Sequence, residues 1–201
     1  MQAQRKLHRL ALAAILYLLL YSLAAYLDLW TTMVALSQPG VHEGNSVVRK
    51  GQAYLPKRAL IVNLAGAVIM TACVVFSANH AERVETRWLH RPIASFGKIY
   101  LNPWSSGAIG VSPLHMLSMA VAFLAMRLVA AGNNMLIYFY GFAPIGALID
   151  GIGQHTSATV AFSVVVLPLF YLLAIVVSPL AAKLLSLWQA PPLSDVGHAP
   201  C

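Results

Sequence analysis

Charged side chains are scarce in this sequence. Only 9% of its 201 residues are charged, whereas 59% are hydrophobic. A typical soluble domain is about 45–50% apolar and about 25% charged. So few charges cannot hydrate the surface of a soluble fold of this size, but side chains that face lipid should be apolar. The composition therefore excludes an ordinary soluble domain and predicts an integral membrane protein in contact with the lipid bilayer.

Acidic residues and cysteines are especially few. The chain has 6 Asp+Glu against 13 Lys+Arg, which gives a formal net charge of +7. Because the basic residues lie mostly outside the apolar runs, they indicate topology and contact with anionic headgroups, and we expect no nucleic-acid partner. Cys73 and Cys201 have no paired spacing, so neither a disulfide framework nor a structural zinc site is predicted.

Several catalytic and nucleotide-binding motifs are missing. The sequence contains no nucleotide-binding glycine loop, no His-Glu-x-x-His and no Gly-x-Ser-x-Gly. The chain is also too short to show the two related halves of transporters with discontinuous helices, although a homodimer could supply the second half. These absences favour a protein without enzymatic activity.

Long apolar runs are the dominant feature that is present. About 20 apolar residues form a helix that crosses the hydrocarbon core of a bilayer. We therefore predict an all-α, polytopic transmembrane helical bundle of about five spans, in one domain over 1–187, followed by a flexible C-terminal tail over 188–201. The predicted spans are 10–36, 59–78, 113–131, 135–150 and 158–181. The third and fourth are separated at Gly132-Asn133-Asn134, which is a turn signal.

The start of the chain sets the predicted orientation. A basic segment followed by an apolar run also resembles a signal peptide, with Ser22-Leu23-Ala24 as a cleavage site, but the run continues past that site. The first helix usually dominates topology, so Arg5, Lys6 and Arg9 place the N-terminus in the cytoplasm. Five spans would then put the C-terminus outside. We expect a prokaryotic inner membrane as the location.

Charged residues inside apolar runs are candidates for function, because they are costly in lipid. Asp28 follows Leu10 by 18 residues, or about 27 Å along a helix, which places it near the far boundary of the membrane. An ion pair with Arg127 would offset two desolvation costs at once. Under five spans, Asp150 and the nearby His155 lie on the opposite side from Asp28.

Polar residues around Asp28 form a wider pattern. Thr31 and Thr32 follow on the same helix face, and the next loop contains His42-Glu43-Gly44-Asn45. Over residues 24–50 this pattern resembles a family of small prokaryotic multi-pass membrane proteins, which pair an Asp-x-x-Thr helix with a Glu-x-Asn-Pro turn. Ser46 stands where the family has proline. The family has no assigned activity, so the resemblance implies only that Asp28 pairs with Glu43 and Asn45.

Three interpretations of this region remain open. In the first, Asp28, Glu43 and Asn45 cap helix ends and fix the first loop. They then belong to a structural polar cluster with Thr31, Thr32, Asn63 and Arg127. In the second, Asp28, His42 and Glu43 bind a divalent metal, since carboxylates and imidazole suit several metals. In the third, Asp28 and Arg127 line an ion or proton path.

The second predicted span carries small and polar residues on one face. Asn63, Ala67 and Thr71 recur every four residues, which suits close contact between helices in lipid. We therefore predict a non-enzymatic integral membrane protein, a small subunit or partner that packs against other membrane proteins or against its own copies. The alternatives are a metal-dependent membrane enzyme that uses Asp28, His42 and Glu43, and a small ion or solute transporter.

Overall fold

The computed structural model describes residues 2–41, 48–50, 53–101 and 106–189, and the predicted all-α bundle is confirmed. Four helices are long and apolar enough to cross a membrane: α1 (Gln2–Leu36), α2 (Pro56–Asn79), α5 (Ser106–Tyr140) and α7 (Ala158–Trp188). The shorter helices are α3 (Thr86–His90), α4 (Pro92–Leu101) and α6 (Pro144–Gly153), and a 3₁₀ turn covers Ala81–Arg83. Between α1 and α2, β1 (Arg49–Lys50) pairs antiparallel with β2 (Ala53–Tyr54).

Helix α5 is the centre of the bundle, since it packs against α1, α2 and α7, and α6 packs on α7. The Arg9 guanidinium donates a hydrogen bond to the carbonyl of Trp188. The Gln189 amide donates to the carbonyls of Ala81 at 3.2 Å and Val84 at 2.9 Å. The start of α1, the end of α2 and the end of α7 therefore lie together, at what we call the terminal end. The opposite end, which carries the end of α1, the start of α2 and α6, is the distal end.

The structure corrects the predicted span over 135–150. Helix α5 continues through Gly132-Asn133-Asn134 to Tyr140, and the chain turns at Gly141, whose φ of 67° suits glycine. Helix α6 has only 10 residues, or about 15 Å, which is half the thickness of the hydrocarbon core. With four spanning helices, α7 ends on the same side as α1 begins, whereas five spans required the opposite. Of the predicted tail over 188–201, residues 190–201 lie outside the described residues.

Small residues form the contacts between the helices. Ala78, Ala120, Ala174 and Ala181 have no exposed surface. In lipid, small side chains at helix contacts let the backbones approach closely and so increase van der Waals packing. Large aliphatic side chains such as Ile61, Leu64, Val68, Leu172 and Val176 are exposed on the outside of the bundle. Such a surface suits contact with the acyl chains of a bilayer.

Candidate functional site

Asp28 of α1 and Arg127 of α5 form an ion pair in the distal half of the bundle. Arg127 Nη1 donates to Asp28 Oδ2 at 2.7 Å, a charge-assisted hydrogen bond. The side chains are 13% exposed for Asp28 and 16% exposed for Arg127, so neither is completely sealed by protein. The pair joins two spanning helices and leaves part of each charged group accessible.

Tyr21 extends this contact to a third helix. Its hydroxyl donates to the backbone carbonyl of Asn63 in α2 at 2.8 Å, and it accepts a hydrogen bond from Arg127 Nη2 at 3.4 Å. The Tyr21 ring stacks on Phe123, with 6.0 Å between centroids and 5° between planes. Arg127 Cζ lies 5.3 Å from the Phe123 centroid and 5.9 Å from the Tyr21 centroid, within cation–π range. One network therefore fixes α1, α2 and α5 around the guanidinium.

A glycine makes this network fit against α2. A Cβ atom at Gly66 would lie 2.8 Å from the Tyr21 hydroxyl and 3.2 Å from two ring carbons of Phe123. A real Cβ atom does not approach an oxygen that closely without a shift of one of them. Gly66 therefore allows the two aromatic rings to lie directly on the α2 backbone.

The ion pair lies on the distal side of the aromatic contacts. Tyr21, Gly66 and Phe123 each fall near the middle of their spanning helices and pack at one level. From that level Asp28 is seven residues further along, or about 10 Å, and Arg127 is four residues further, or about 6 Å. The position of Asp28 near the membrane boundary stays a prediction.

A cavity of about 660 Å³ lies at the distal end, directly beside the ion pair. Apolar side chains form most of its wall. The polar residues in the wall are Asp28, Thr32, Tyr54, Asn63, Arg127, Asn133, Asn134 and Asp150. The described lining residues of the spanning helices all come from their distal halves: 28–36 of α1, 59–63 of α2, 123–137 of α5 and 162–166 of α7. The cavity is therefore a pocket in one half of the bundle.

Two asparagines of α5 attach the flanking helices to the pocket. Asn134 Nδ2 donates to Thr32 Oγ1 at 2.9 Å and lies 3.5 Å from Thr31 Oγ1. Asn133 Oδ1 accepts from the backbone N–H of Ile145, near the start of α6, at 3.3 Å. Sequence analysis assigned these asparagines to a turn. One feature of the sequence could have placed Asn134 on a helix with Arg127. The two residues are seven apart, a spacing that puts both side chains on one helix face.

Asn63 has a buried acceptor without a hydrogen bond among the described residues. Its side-chain N–H group donates to the carbonyl of Ala59 at 2.8 Å, but Asn63 Oδ1 has no partner in the described part of the chain. Buried polar atoms are normally paired. Asn63 is part of the pocket wall, but this oxygen has almost no accessible surface and therefore does not face the cavity.

Asp150 lies in the same pocket as Asp28, which corrects the prediction that the two occupy opposite sides of the membrane. The correction follows from the span count, since α5 turns directly into α6 at the distal end. Asp150 is on α6 and is exposed. Within the described part of the wall, the carboxylates of Asp28 and Asp150 therefore lie in one pocket with the guanidinium of Arg127.

The predicted metal site lies largely outside the described residues. His42, Glu43 and Asn45 belong to the segment 42–47, so only Asp28 of the predicted ligands is described. Within the ranges that the structure describes, no group of three or more His, Cys, Asp or Glu side chains is arranged to hold a metal ion. Metal binding by Asp28, His42 and Glu43 stays a prediction.

Comparison with known protein families, curated proteins and solved structures found no match for this chain. The resemblance to the family with the Asp-x-x-Thr helix therefore stays a prediction as well. Function has to be argued from the chemistry of the pocket.

Proposed function

We propose that this is a multi-pass membrane protein that binds a small amphiphilic molecule in the distal pocket. The observation that carries the proposal is that the Asp28–Arg127 ion pair faces a cavity of about 660 Å³. Ligand pockets in proteins have volumes of about 300–1,000 Å³. The pocket is large enough for a molecule of about the size of a drug.

A purely structural role accounts less well for the ion pair. Well-packed apolar residues usually stabilise a buried contact as well as an ion pair does, because two charges must be desolvated. Ionisable residues inside membrane spans generally line substrate or ion pathways. Here the pair lies in a cavity wall together with Asn63, Asn133 and Asn134. This grouping favours ligand binding over a contact that only joins α1 to α5.

The lining favours an amphiphilic ligand. Among the lining residues that the structure describes, apolar side chains such as Leu29, Ile137, Ile145, Phe162 and Val166 outnumber the polar ones. Pockets for small molecules commonly have this composition, with apolar walls that supply affinity and a few polar groups that fix orientation. We expect an apolar body with one polar group.

Binding fits the described residues better than conduction does. At the inner limit of the pocket, Tyr21 stacks on Phe123, and Tyr17 of α1 donates a hydrogen bond to the carbonyl of Ala120 at 3.0 Å. These contacts fill the centre of the bundle between the pocket and the terminal end. The solute transporter considered from the sequence would need these rings to move, whereas a binding protein would not.

The distribution of basic residues supports an orientation. Seven lie in elements at or next to the terminal end: Arg5, Lys6, Arg9, Arg83, Arg87, Arg91 and Lys183. Four lie at the distal end: Arg49, Lys50, Lys57 and Arg58. Since the more basic side normally faces the cytoplasm, the terminal end is cytoplasmic and the pocket is on the far side. Location in a prokaryotic inner membrane stays a prediction.

Single cysteines test this orientation in a background without Cys73 and Cys201. Ser37→Cys and His155→Cys are exposed sites at the distal end, and His8→Cys is exposed at the terminal end. In intact cells, an impermeant maleimide should label the first two and not the third. Labelling at position 37 without labelling at position 155 would indicate five spans and would separate Asp28 from Asp150.

Two earlier predictions are not needed to explain the pocket. A small subunit that packs against other membrane proteins stays a prediction, because exposed aromatic residues such as Tyr138, Phe139 and Tyr140 are also expected where a helix meets the membrane surface. A metal-dependent enzyme stays a prediction that depends on His42 and Glu43.

Photolabelling in lipid nanodiscs tests ligand binding directly. The probe is phenylbutanol that carries a diazirine on its ring, and the labelled positions are read by peptide mass spectrometry. We expect labels on the lining segments of α5 and α6, and we expect excess unlabelled phenylbutanol to compete. Labelling spread evenly over the lipid-facing surfaces, without competition, would refute the proposal.

Two glycines supply a matched pair of variants. A Cβ atom at Gly146 or at Gly132 would contact nothing within 4 Å, but only Gly146 lines the pocket. Gly146→Phe should fill the pocket and remove the competed label. Gly132→Phe should keep it. Equal labelling of the two variants would show that the probe binds elsewhere.

A further inference from the structure

We infer that the ligand of the distal pocket carries an uncharged polar group that both donates and accepts hydrogen bonds, such as a hydroxyl or a primary amide. This inference rests on the proposed function, because it names the chemical class that the same pocket accepts. It depends on two features of the Asp28–Arg127 ion pair: the two charges compensate each other, and both side chains keep hydrogen-bonding capacity.

The ion pair contributes no net charge to the inner end of the pocket. Arg127 Nη1 and Asp28 Oδ2 lie 2.7 Å apart, so a charged ligand group beside them would meet a like charge at nearly the same distance as an opposite one. Taking a charge out of water is costly unless an opposite charge is available to pair with it. Because Asp28 and Arg127 already pair with each other, they disfavour an ammonium or a carboxylate group on the ligand.

Asp150 does not supply the missing counter-charge. It is exposed on α6, and it already interacts with another group of the protein. An exposed charge is hydrated and screened, so it acts only weakly on a group inside the pocket. The charges that a ligand meets at the inner end of the described wall are therefore those of Asp28 and Arg127.

Both members of the ion pair can make further hydrogen bonds. A guanidinium has several N–H donors, and Arg127 uses Nη1 for Asp28 and Nη2 for the Tyr21 hydroxyl. A carboxylate accepts several hydrogen bonds, and Asp28 accepts one from Arg127. Both side chains line the cavity and retain exposed surface. The pair therefore offers a donor and an acceptor side by side, and a hydroxyl or an amide group can bond to both.

Uncharged polar groups beside the ion pair also fit such a ligand. Thr32 follows Asp28 by one turn of α1 and lines the same cavity. Its hydroxyl accepts a hydrogen bond from Asn134 Nδ2 at 2.9 Å, which leaves its own O–H group able to donate. The described wall around the ion pair thus combines compensated charges with neutral donors and acceptors.

The experiment compares five compounds that share one apolar body. Phenylbutanol, phenylbutanamide, phenylbutylamine, phenylbutanoate and butylbenzene compete with the photoprobe for the full-length protein in phosphatidylcholine nanodiscs. Because uncharged compounds enter lipid more readily, each concentration is expressed per lipid, from partitioning measured in nanodiscs without protein. We expect the alcohol and the amide to displace the label at a concentration about tenfold lower than butylbenzene, which corresponds to about one hydrogen bond. Displacement by butylbenzene or by either charged compound at an equal or lower concentration than the alcohol would overturn the inference.

Asp28→Asn removes the charge compensation with little change in side-chain shape. Arg127 then lacks its carboxylate partner, so we expect phenylbutanoate to compete about tenfold better than with the unsubstituted protein, and phenylbutylamine to compete less well. Glu85→Gln, an exposed acidic site that pairs with Arg87 away from the pocket, is the matched control and should leave the order of the compounds unchanged. An unchanged order in Asp28→Asn would contradict the inference. If Asp28→Asn does not fold, the five compounds on the unsubstituted protein decide alone.

The outcomes separate this inference from the proposed function. Pocket labelling that a charged compound or butylbenzene competes best would keep a ligand pocket and reject an uncharged polar group on the ligand. Complete absence of competed labelling would reject both.

Discussion

Gly66→Ala is the smallest substitution that tests the centre of the site. The added Cβ atom would lie 2.8 Å from the Tyr21 hydroxyl and 3.2 Å from the Phe123 ring. Neither group can retreat easily, since Tyr21 is hydrogen-bonded to the Asn63 carbonyl and stacked on Phe123. Overpacking of this kind costs about 1–3 kcal/mol in the free energy of unfolding. Alanine also gains up to about 1 kcal/mol over glycine in a helix, which offsets part of the loss.

The control is Gly132→Ala in α5. A Cβ atom there contacts nothing within 4 Å, so this variant has the helix-propensity gain without the clash. We therefore expect Gly66→Ala to be less stable than Gly132→Ala by about 1–3 kcal/mol. The free energies of unfolding are measured by titration with sodium dodecyl sulfate in mixed micelles, followed by tryptophan fluorescence.

Tyr21→Phe identifies the group that causes the clash. Alone, it removes the hydroxyl that donates to Asn63 and accepts from Arg127, at a cost of about 1 kcal/mol for each bond. Combined with Gly66→Ala, it also removes the atom that the new methyl group would meet. The double variant should therefore be more stable than the sum of the single effects. The close approach of Tyr21 to α2 is wrong if Gly66→Ala and Gly132→Ala have the same free energy of unfolding. It is also wrong if the effects of Gly66→Ala and Tyr21→Phe on that free energy simply add.

Three further predictions concern contacts at the ends of the helices. Asn133→Ala removes the acceptor for the Ile145 N–H, so amide hydrogen exchange in α6 should become faster while exchange in α2 stays unchanged. Ser157→Ala removes the N-cap bond to the Val160 N–H and should lower the free energy of unfolding by about 0.5–2 kcal/mol in the same titration. Gln189→Ala removes two donated hydrogen bonds to the turn after α2, so limited proteolysis should cut that turn more rapidly than in the unsubstituted protein.

The spanning helices could be predicted because lipid imposes a simple requirement on sequence. Every backbone polar group in the bilayer must be paired, so a spanning segment is a continuous apolar helix. Runs such as 59–78 and 158–181 carry this signal without a single charged residue, and α2 and α7 cover them. The sequence did not show that α1 and α5 extend beyond their predicted limits. A helix continues past its apolar run wherever its polar residues reach water or another helix.

The turn at Gly132-Asn133-Asn134 failed as a prediction because tertiary contacts override local signals. Asparagine favours turns since its side chain competes with the backbone for hydrogen bonds. In α5, the Asn134 side chain donates a hydrogen bond to Thr32, and the Asn133 side chain accepts one from the backbone of α6. Neither side chain therefore competes for the hydrogen bonds of its own helix. The true turn lies at Gly141, where the backbone has a positive φ.

Part of the candidate site could also be predicted from the sequence. Asp28 and Arg127 stand out in apolar runs, and their pairing was one of the interpretations drawn from the sequence. Tyr21 and Phe123 did not stand out, because aromatic residues in a spanning segment look the same whether they face lipid or protein. Gly66 gave no signal either, since glycine is common in membrane helices. Only the packing of three helices shows that these residues hold the guanidinium.

The number of spans determines which residues can act together. Each span reverses the side on which the next loop lies, so one additional span between Arg127 and Asp150 would put Asp150 across the membrane from Asp28. In the structure α5 is continuous and α6 is too short to cross, and this brings both carboxylates into one pocket. The grouping of Asp28, Arg127 and Asp150 around one pocket therefore depends on the continuity of α5 at Asn133 and Asn134. The two asparagines consequently determine the chemistry of the site through the fold as well as through their own hydrogen bonds.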